Sequence, residues 1–411
     1  MASQIFTDIS LIANTREDTI IIRGKELAHL PCVQNAYIVI EDDIIAEYGA
    51  MANCPYTSTQ SVKANNNCIV LPCWCDSHTH IVFSGSRENE FIDKIKGLGY
   101  EDIAAKGGGI LNSAKKLSVT SEDELFNEAW KRLEEVSRLG TGAVEIKSGY
   151  GLSLEGELKM LRVIKRLQEK SPLKIKSTFL GAHAFPLEYA EKHEDYIQLL
   201  INEMLPVIAH EKLADYIDVF CEKGFFSAGE METVCRAGKQ YGLKPRLHVN
   251  QLNSIGGIEA GISLNAVSLD HLETLTHEEI EMLGLFNGCS TLLPSAAFFL
   301  QMPYQPARGL IKAGAAVTLA SDYNPGSSPS GNMNFIISLS CIQMKMLPEE
   351  AINAATINGA FAMEIEKDYG SVTVGKKANL IFTKPAANLA YLPYSFGTNL
   401  IDKVMINGSF I

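Results

Sequence analysis

Hydrophobic and polar positions divide the chain into three stretches. Near the start, TIIIRG (19–24) and AYIVIEDDIIAEYG (36–49) are β-branched runs broken by polar turns, a pattern that predicts strands and hairpins. The end repeats it in ANLIFTK (378–384) and DKVMINGSFI (402–411). Neither end is large enough for a stable domain of its own. The simplest packing joins both termini into one small β-sandwich with a larger domain inserted between. The expected boundaries are 1–68 and 366–411 for the sandwich and 69–365 for the insert.

The middle alternates β-rich apolar segments with amphipathic helical ones. Eight candidate strands stand out: IVLPCWCDSHTH (69–80), GAVEIKSGY (142–150), KIKSTFLGAHA (174–184), YIDVFCE (216–222), KPRLHVN (244–250), AVSLDHL (266–272), CSTLLP (289–294) and AAVTLASD (315–322). The clearest helix is SEDELFNEAWKRLEEVSRLG, with Ser121 as N-cap, acidic residues in the first turn and Gly140 just past the end. LEGELKMLRVIKRLQEK and SAGEMETVCRAGKQYG repeat the theme. Eight strands alternating with helices predict an α/β fold, a (β/α)8 TIM-like barrel. A doubly wound open sheet competes with it. No G-x-G-x-x-G opens a helix after a first strand, so dinucleotide binding has no support.

Composition narrows the function. The 411 residues are 46% hydrophobic and 20% charged, an ordinary globular balance that allows one large domain and a smaller one. The net charge of −12 argues against nucleic acid and against anionic membranes as partners. An anionic substrate would need local positive charge, from a metal or one Arg. MASQIFTDISLIANTRED carries no basic region followed by a long apolar one, and no apolar run approaches the ~18 residues of a membrane span. The nine cysteines are odd in number and scattered, which suits reduced thiols in the cytoplasm. Cys73 and Cys75 lie close to two histidines, but buried strand thiols are favoured over ligands.

In a barrel the chemistry sits at the C-terminal ends of the strands. His78 and His80 end the first candidate strand, Lys147 and Tyr150 the second, His183 the third and His248 the fifth; His271 lies on the sixth and Asp322 ends the eighth. An isolated His-Thr-His triplet is more often just a strand with two polar residues. Here five of the nine histidines fall on one rim, and only His29, His193, His210 and His277 do not. Alternation along a strand puts His78 and His80 on one face. Imidazole nitrogens with a carboxylate suit zinc or iron, and three His plus one Asp leave room for a water.

His-Thr-His on the first strand, single histidines on the fifth and sixth and Asp at the eighth resemble the amidohydrolase superfamily. DSHTHIVFSGSRENEF, KGGGI, EIKSGYGL, FLGAHA, HVNQ, LDHLE and LASDYNPGSSP, in order between about residues 70 and 380, resemble the imidazolonepropionase family within it. The resemblance implies metal-assisted hydrolysis in histidine degradation. Water attacks the ring carbonyl of 4-imidazolone-5-propanoate, and the ring C–N bond breaks as its nitrogen is protonated, giving N-formimidoyl-L-glutamate. It also implies one zinc or iron ion on His78, His80, His248 and Asp322, a small anionic substrate and a homodimer.

The resemblance assigns further roles. Arg87 stands where the family binds the carboxylate tail, a task suited to a planar fork; an ion pair with Glu88 or Glu90 is the competing explanation. Tyr100, Tyr150 and His183 match substrate-contacting positions, although Tyr150 also suits a packed rim aromatic. The loop NPGSSP matches the substrate loop, with Asn324, Gly326 and Ser327 in contact, against an ordinary Pro/Gly turn. His271 is expected beside the metal as proton carrier or hydrogen-bond partner. Some amidohydrolases carbamylate a lysine on strand four to bridge two metals. Here Lys147 is on strand two and strand four ends in Cys221 and Glu222, which favours one metal and a supporting charge at Lys147.

One departure matters. The commoner family pattern is His-x-Asp-Glu; this chain has His248-Val249-Asn250-Gln251. Gln251 orients substrate but cannot shuttle a proton near neutral pH. The relay then falls to His271 or Asp322, with His183 as a helper. Two alternatives stand beside this assignment: another cyclic-amide hydrolase or aminohydrolase of the superfamily, and a non-catalytic scaffold. All four candidate ligands are present, which speaks against the scaffold.

Overall fold

The computed structural model describes residues 3–56, 62–63, 67–97 and 108–411. Tyr100 and the first two residues of KGGGI lie outside them. The middle of the chain forms eight parallel strands: Trp74–Thr79, Thr141–Lys147, Lys174–Ala182, Tyr216–Cys221, Lys244–Val249, Ser268–His271, Cys289–Leu292 and Val317–Leu319. Each pairs with the next in chain order. The eighth then returns to the first. Thr79 bridges Tyr323, the Asp322 N–H donates to the His78 carbonyl at 3.0 Å, and the His80 N–H donates to the Tyr323 carbonyl at 2.9 Å. That closure makes the sheet a barrel and removes the open-sheet alternative.

The helices start and stop where capping chemistry says they should. Ser121 Oγ accepts the Glu124 N–H at 3.2 Å to open Glu122–Arg138, which buries Leu125, Ala129, Leu133 and Val136. Gly140 follows at φ 97°, where a Cβ would run into Trp74 and Ile381. Ser153 caps Leu154–Lys170, and a capping box of Ser227 and Glu230 opens Ala228–Gln240.

Two expectations need correcting. The run 69–80 is not one strand but two. Ile69–Pro72 pairs with Leu380–Thr383 in the terminal sheet, and the barrel strand begins at Trp74. Cys73 is the handover: its N–H goes to Asn379 on the terminal side, while the next N–H goes to Gly140 on the barrel side. Both halves are buried, so the apolar pattern runs across the joint without a break. TIIIRG is no strand either. The backbone of Ile22 is satisfied by one side chain, with its N–H donating to Asn358 Oδ1 at 2.9 Å and its carbonyl accepting from Asn358 Nδ2 at 2.8 Å. Gly24–Ala28 then turns into a short 3-10 helix.

The termini meet in one eight-stranded sheet that includes Ser3–Ala13, Cys32–Glu41, Ile44–Ala50, Ile69–Pro72, Leu380–Thr383, Ile401–Ile406 and Ser409–Phe410. Phe6 and Phe410 lie four strands apart in its order, about 19 Å if it were flat. Their rings are 5.7 Å apart. The sheet therefore rolls over itself, and its two facing layers enclose Phe6, Ile9, Ile38, Val70, Leu380 and Met405.

Candidate active site

Five histidines gather at the C-terminal rim of the barrel, all buried. The ring of His78 is 5.3 Å from His80, 4.5 Å from His248 and 5.6 Å from His271, and His80 stacks on His183 at 5.6 Å. The other four histidines lie elsewhere. Nitrogen and oxygen donors form two overlapping triplets that share His78: one with His248 and His271, the other with His80 and Asp322. In the second, Asp322 Oδ1 sits 3.6 Å from His78 Nε2 and 3.5 Å from His80 Nε2. Cys73 and Cys75 point elsewhere. Cys75 packs on Ala143, Ala360 and Met363, and burial pushes its thiol up to about 12.

The backbone at this rim is strained. Asn250 (φ 55°), His271 (φ 86°), Leu272 (φ 65°) and Asp322 (φ 54°) all sit in the left-handed region without being glycine. Strands five, six and eight thus each turn sharply where their polar side chains enter the site.

Hydrogen bonds fix how the rings face. His78 Nδ1 lies 2.7 Å from Asp270 Oδ2, and His248 Nδ1 lies 2.8 Å from Asp218 Oδ2. The His78 Nε2 is fully buried and makes no hydrogen bond. Burying such an atom alone is costly, and a cation removes the cost. Three imidazoles and one carboxylate are also a standard donor set for a divalent metal. The residues present therefore fit one divalent ion.

Electrostatics agree with neutral ligands. Burial first, then Lys147 and the neighbouring histidines, hold His78, His80 and His248 well below the usual histidine range. Burial takes His183 down to about 4 and lifts Asp322 to about 6. His271 differs. Burial pulls it down, but Glu273, Asp322 and Asp270 outweigh that and leave it above the ordinary value.

The family model "Amidohydrolase family" matches residues 180–411. The chain is 58% identical over 390 residues to imidazolonepropionase from Flavobacterium johnsoniae, covering 95% of each chain, and 54% identical over 409 residues to imidazolonepropionase from Christiangramia forsetii, covering 99% of each. The chain belongs to the imidazolonepropionase family. Among solved structures, a guanine deaminase from C. acetobutylicum matches with a TM-score of 0.70 at 16% identity over 100% of both chains, which speaks to the fold alone.

The residues expected from the sequence to contact substrate are arranged unevenly. Tyr150 is buried, with its ring 5.9 Å from His80 and 5.4 Å from His183. His183 Nδ1 faces the Gly149 carbonyl at 2.9 Å, so it carries the proton and Nε2 is left as an acceptor. Arg87 makes the ion pair with Glu90, through Nε at 2.7 Å and Nη2 at 2.5 Å, while Nη1 packs over Gly326, where a Cβ would push the guanidinium aside. The ion pair with Glu90 is therefore formed: two donors are tied to Glu90, and Nη1 faces the loop after Asp322.

Asn324 spends its amide on that loop. Its Oδ1 accepts the Gly326 and Ser327 N–H groups at 2.8 Å each, and its Nδ2 donates to the Asp322 carbonyl at 2.7 Å. Ser327 Oγ reaches Asp322 Oδ2 at 3.2 Å. Gln251 sits half-buried past the fifth strand, its carbonyl 3.5 Å from Thr274 Oγ1; nothing in that geometry ties its amide to the histidines.

Several polar residues of the site escaped the sequence. Asp218 and Asp270 hold the rings of His248 and His78, and Glu273 faces His271 Nδ1 at 3.4 Å while accepting from Gln305 Nε2 at 2.8 Å. The available signal was a lone carboxylate inside an apolar strand, as in YIDVFCE and AVSLDHL. Lys147 does carry a supporting charge, and its partners are Glu145, Asp218 and Asp270.

Proposed function

We propose that this chain hydrolyses the ring C–N bond of 4-imidazolone-5-propanoate to N-formimidoyl-L-glutamate, in histidine degradation, with one zinc or iron ion on His78, His80, His248 and Asp322. Family membership carries this assignment. The rim geometry supports the reaction class.

When bound, the ion lowers the pKa of a water and polarises the ring carbonyl. The protein does the rest. His183 is neutral and presents Nε2 as an acceptor, suited to a ring N–H of the substrate. Arg87, held by Glu90, turns Nη1 toward the Gly326 loop as the donor for the propanoate tail, with Lys94 bonded to the Gly326 carbonyl beside it. Anchoring the tail fixes the ring away from the point of bond cleavage. Tyr150 walls the ring side; Tyr100 is a further candidate contact. Asn324 and Ser327 shape the loop and steady Asp322. Gln251 orients substrate, and His271, backed by Glu273, is the preferred carrier of the proton to the leaving nitrogen, ahead of Asp322.

The proposal extends to the setting. Nine free cysteines support a reducing cytoplasm. Exposed Phe298, Tyr394 and Phe396 lie on and beside elements packed around helix Met333–Ile342, which supports a homodimer that covers them. Among the described residues, no helix is long and apolar enough to cross a membrane.

The test is turnover of freshly made imidazolonepropionate, followed as loss of its ultraviolet absorbance with and without a chelator. Chelator-sensitive turnover is expected. No turnover by metal-replete protein overturns the substrate.

A further inference from the structure

Beneath the histidines lies a cluster of charges with no access to solvent. Lys147, Glu145, Asp218, Asp270 and Arg246 are all fully buried. Lys147 Nζ is 2.9 Å from Asp218 Oδ2, 3.1 Å from Glu145 Oε1 and 3.8 Å from Asp270 Oδ2. Arg246 Nη2 lies 3.8 Å from Asp270 Oδ2 and donates to the Ser77 carbonyl, and Nη1 donates to the Ala362 carbonyl. Burying so many charges is unfavourable unless the arrangement does something a hydrophobic core would not.

We infer that Lys147 is a positioning residue for the metal centre, one ammonium that sets the ring orientation and tautomer of two ligand histidines on different strands through Asp218 and Asp270. This deepens the metal-site proposal above and depends on it. The inference follows from donor and acceptor counting. An ammonium has donors only, so the Asp218 oxygen it touches is an acceptor. That same Oδ2 faces His248 Nδ1 at 2.8 Å, so the ring must donate there and its Nε2 keeps a lone pair. Asp218 Oδ1 also accepts the His248 backbone N–H at 3.1 Å, which fixes the carboxylate at both oxygens. Asp270 Oδ2 faces His78 Nδ1 at 2.7 Å and lies 3.8 Å from both Lys147 Nζ and Arg246 Nη2, two cations that keep it ionised and so an acceptor for that ring.

The geometry makes Lys147 the shared element. Asp218 comes from the fourth barrel strand and Asp270 from the sixth, flanking the strand that carries His248. Both carboxylates lie within 4 Å of the same Nζ, and without it Glu145, Asp218 and Asp270 share a dry interior with Arg246 as their only nearby cation among the described residues. Repulsion then turns them away from the rings, and both ligands lose their fixed direction at once. Partners that orient ligands in this way typically matter by about 10–100-fold in metal affinity.

The test compares wild type with Lys147→Met, of similar length and no charge. Metal affinity is read by competition with a chromogenic chelator, using zinc as probe, and the absorption spectrum of the cobalt-substituted protein reports ligand geometry. A metal dissociation constant about 10–100-fold weaker, with an altered cobalt spectrum, is expected. Unchanged affinity and spectrum in folded Lys147→Met overturn the inference and leave the metal site standing. Wild type that binds no divalent metal overturns both. If Lys147→Met does not fold, nitrogen-15 NMR of metal-free wild type decides. His78 and His248 protonated on Nδ1 support the inference, and protonation of either on Nε2 overturns it. Tyr196→Phe, which removes a buried hydrogen bond to the Gly181 carbonyl away from the network, is the control and keeps wild-type affinity.

Discussion

The barrel rim and the rolled terminal sheet are both dry, but they are built on opposite principles. The terminal sheet encloses apolar side chains such as Phe6, Ile9, Ile38 and Leu380. The rim buries five histidines, strained backbone and carboxylates that pull against one another. One region is optimised to stay folded; the other is held in place by what surrounds it. Stability and activity should therefore respond to mutation in nearly separate places.

The sharpest way to break that comparison is at Asp322. Asp322→Ala is expected to lower kcat/KM by more than about a thousandfold through loss of metal. The metal-free variant should melt no lower than metal-free wild type, since a buried carboxylate has gone. Steady-state kinetics and calorimetry read the two halves. Next comes His271→Asn, expected to cost about a hundredfold in turnover with metal content unchanged; near-normal turnover would move the relay to another group. On the other side, Leu380→Ala should cost about 3 kcal/mol in denaturant unfolding, while kcat/KM of the folded fraction stays within about twofold of wild type.

The smallest effect is in pH. Between about pH 7.5 and 6 the unfolded chain takes up protons on histidines near their ordinary value. Folded, His78, His80, His183 and His248 refuse them. Asp76, which burial lifts to about 7, opposes this by binding one proton in the folded state. Asp322, lifted to about 6, and His271, held above its ordinary value, oppose it as well. Four histidines against these three groups leave the unfolded chain narrowly ahead, so metal-free stability falls with falling pH, by a degree or two in melting temperature at about pH 6. A flat profile over this range would mean that the rim histidines are open to solvent.

The same contrast governs what could be read from sequence. All eight barrel strands and the five rim histidines were legible, because parallel buried strands are apolar runs and their ends carry the reactive residues. The longest strand of the terminal sheet, Ser3–Ala13, was not. Its register slips between Phe6 and Ile9, and Asp8 sits at φ 58°, so Phe6 and Ile9 are both buried three positions apart and the alternation breaks. TIIIRG misled in the opposite sense, since its β-branched run pairs with the Asn358 amide instead of a strand. In the site, the rim histidines and Asp322 announced themselves by residue type. Asp218, Asp270 and Glu273 did not, because their importance lies in which ring nitrogen they face.

The seam that closes the barrel also sets an order of events. His78 and Asp322 are joined by a backbone hydrogen bond, and Ser321 binds Asp76 across a sequence gap of 245 residues. During synthesis the two histidines emerge long before the carboxylate that completes their site. A ribosome-bound fragment therefore has only half a claw, and bringing the halves together is the slow, non-local step of folding. On the proposed ligand set, metal capture would then report completed synthesis: a truncated or stalled chain should hold an ion poorly, and a finished one should lock it in.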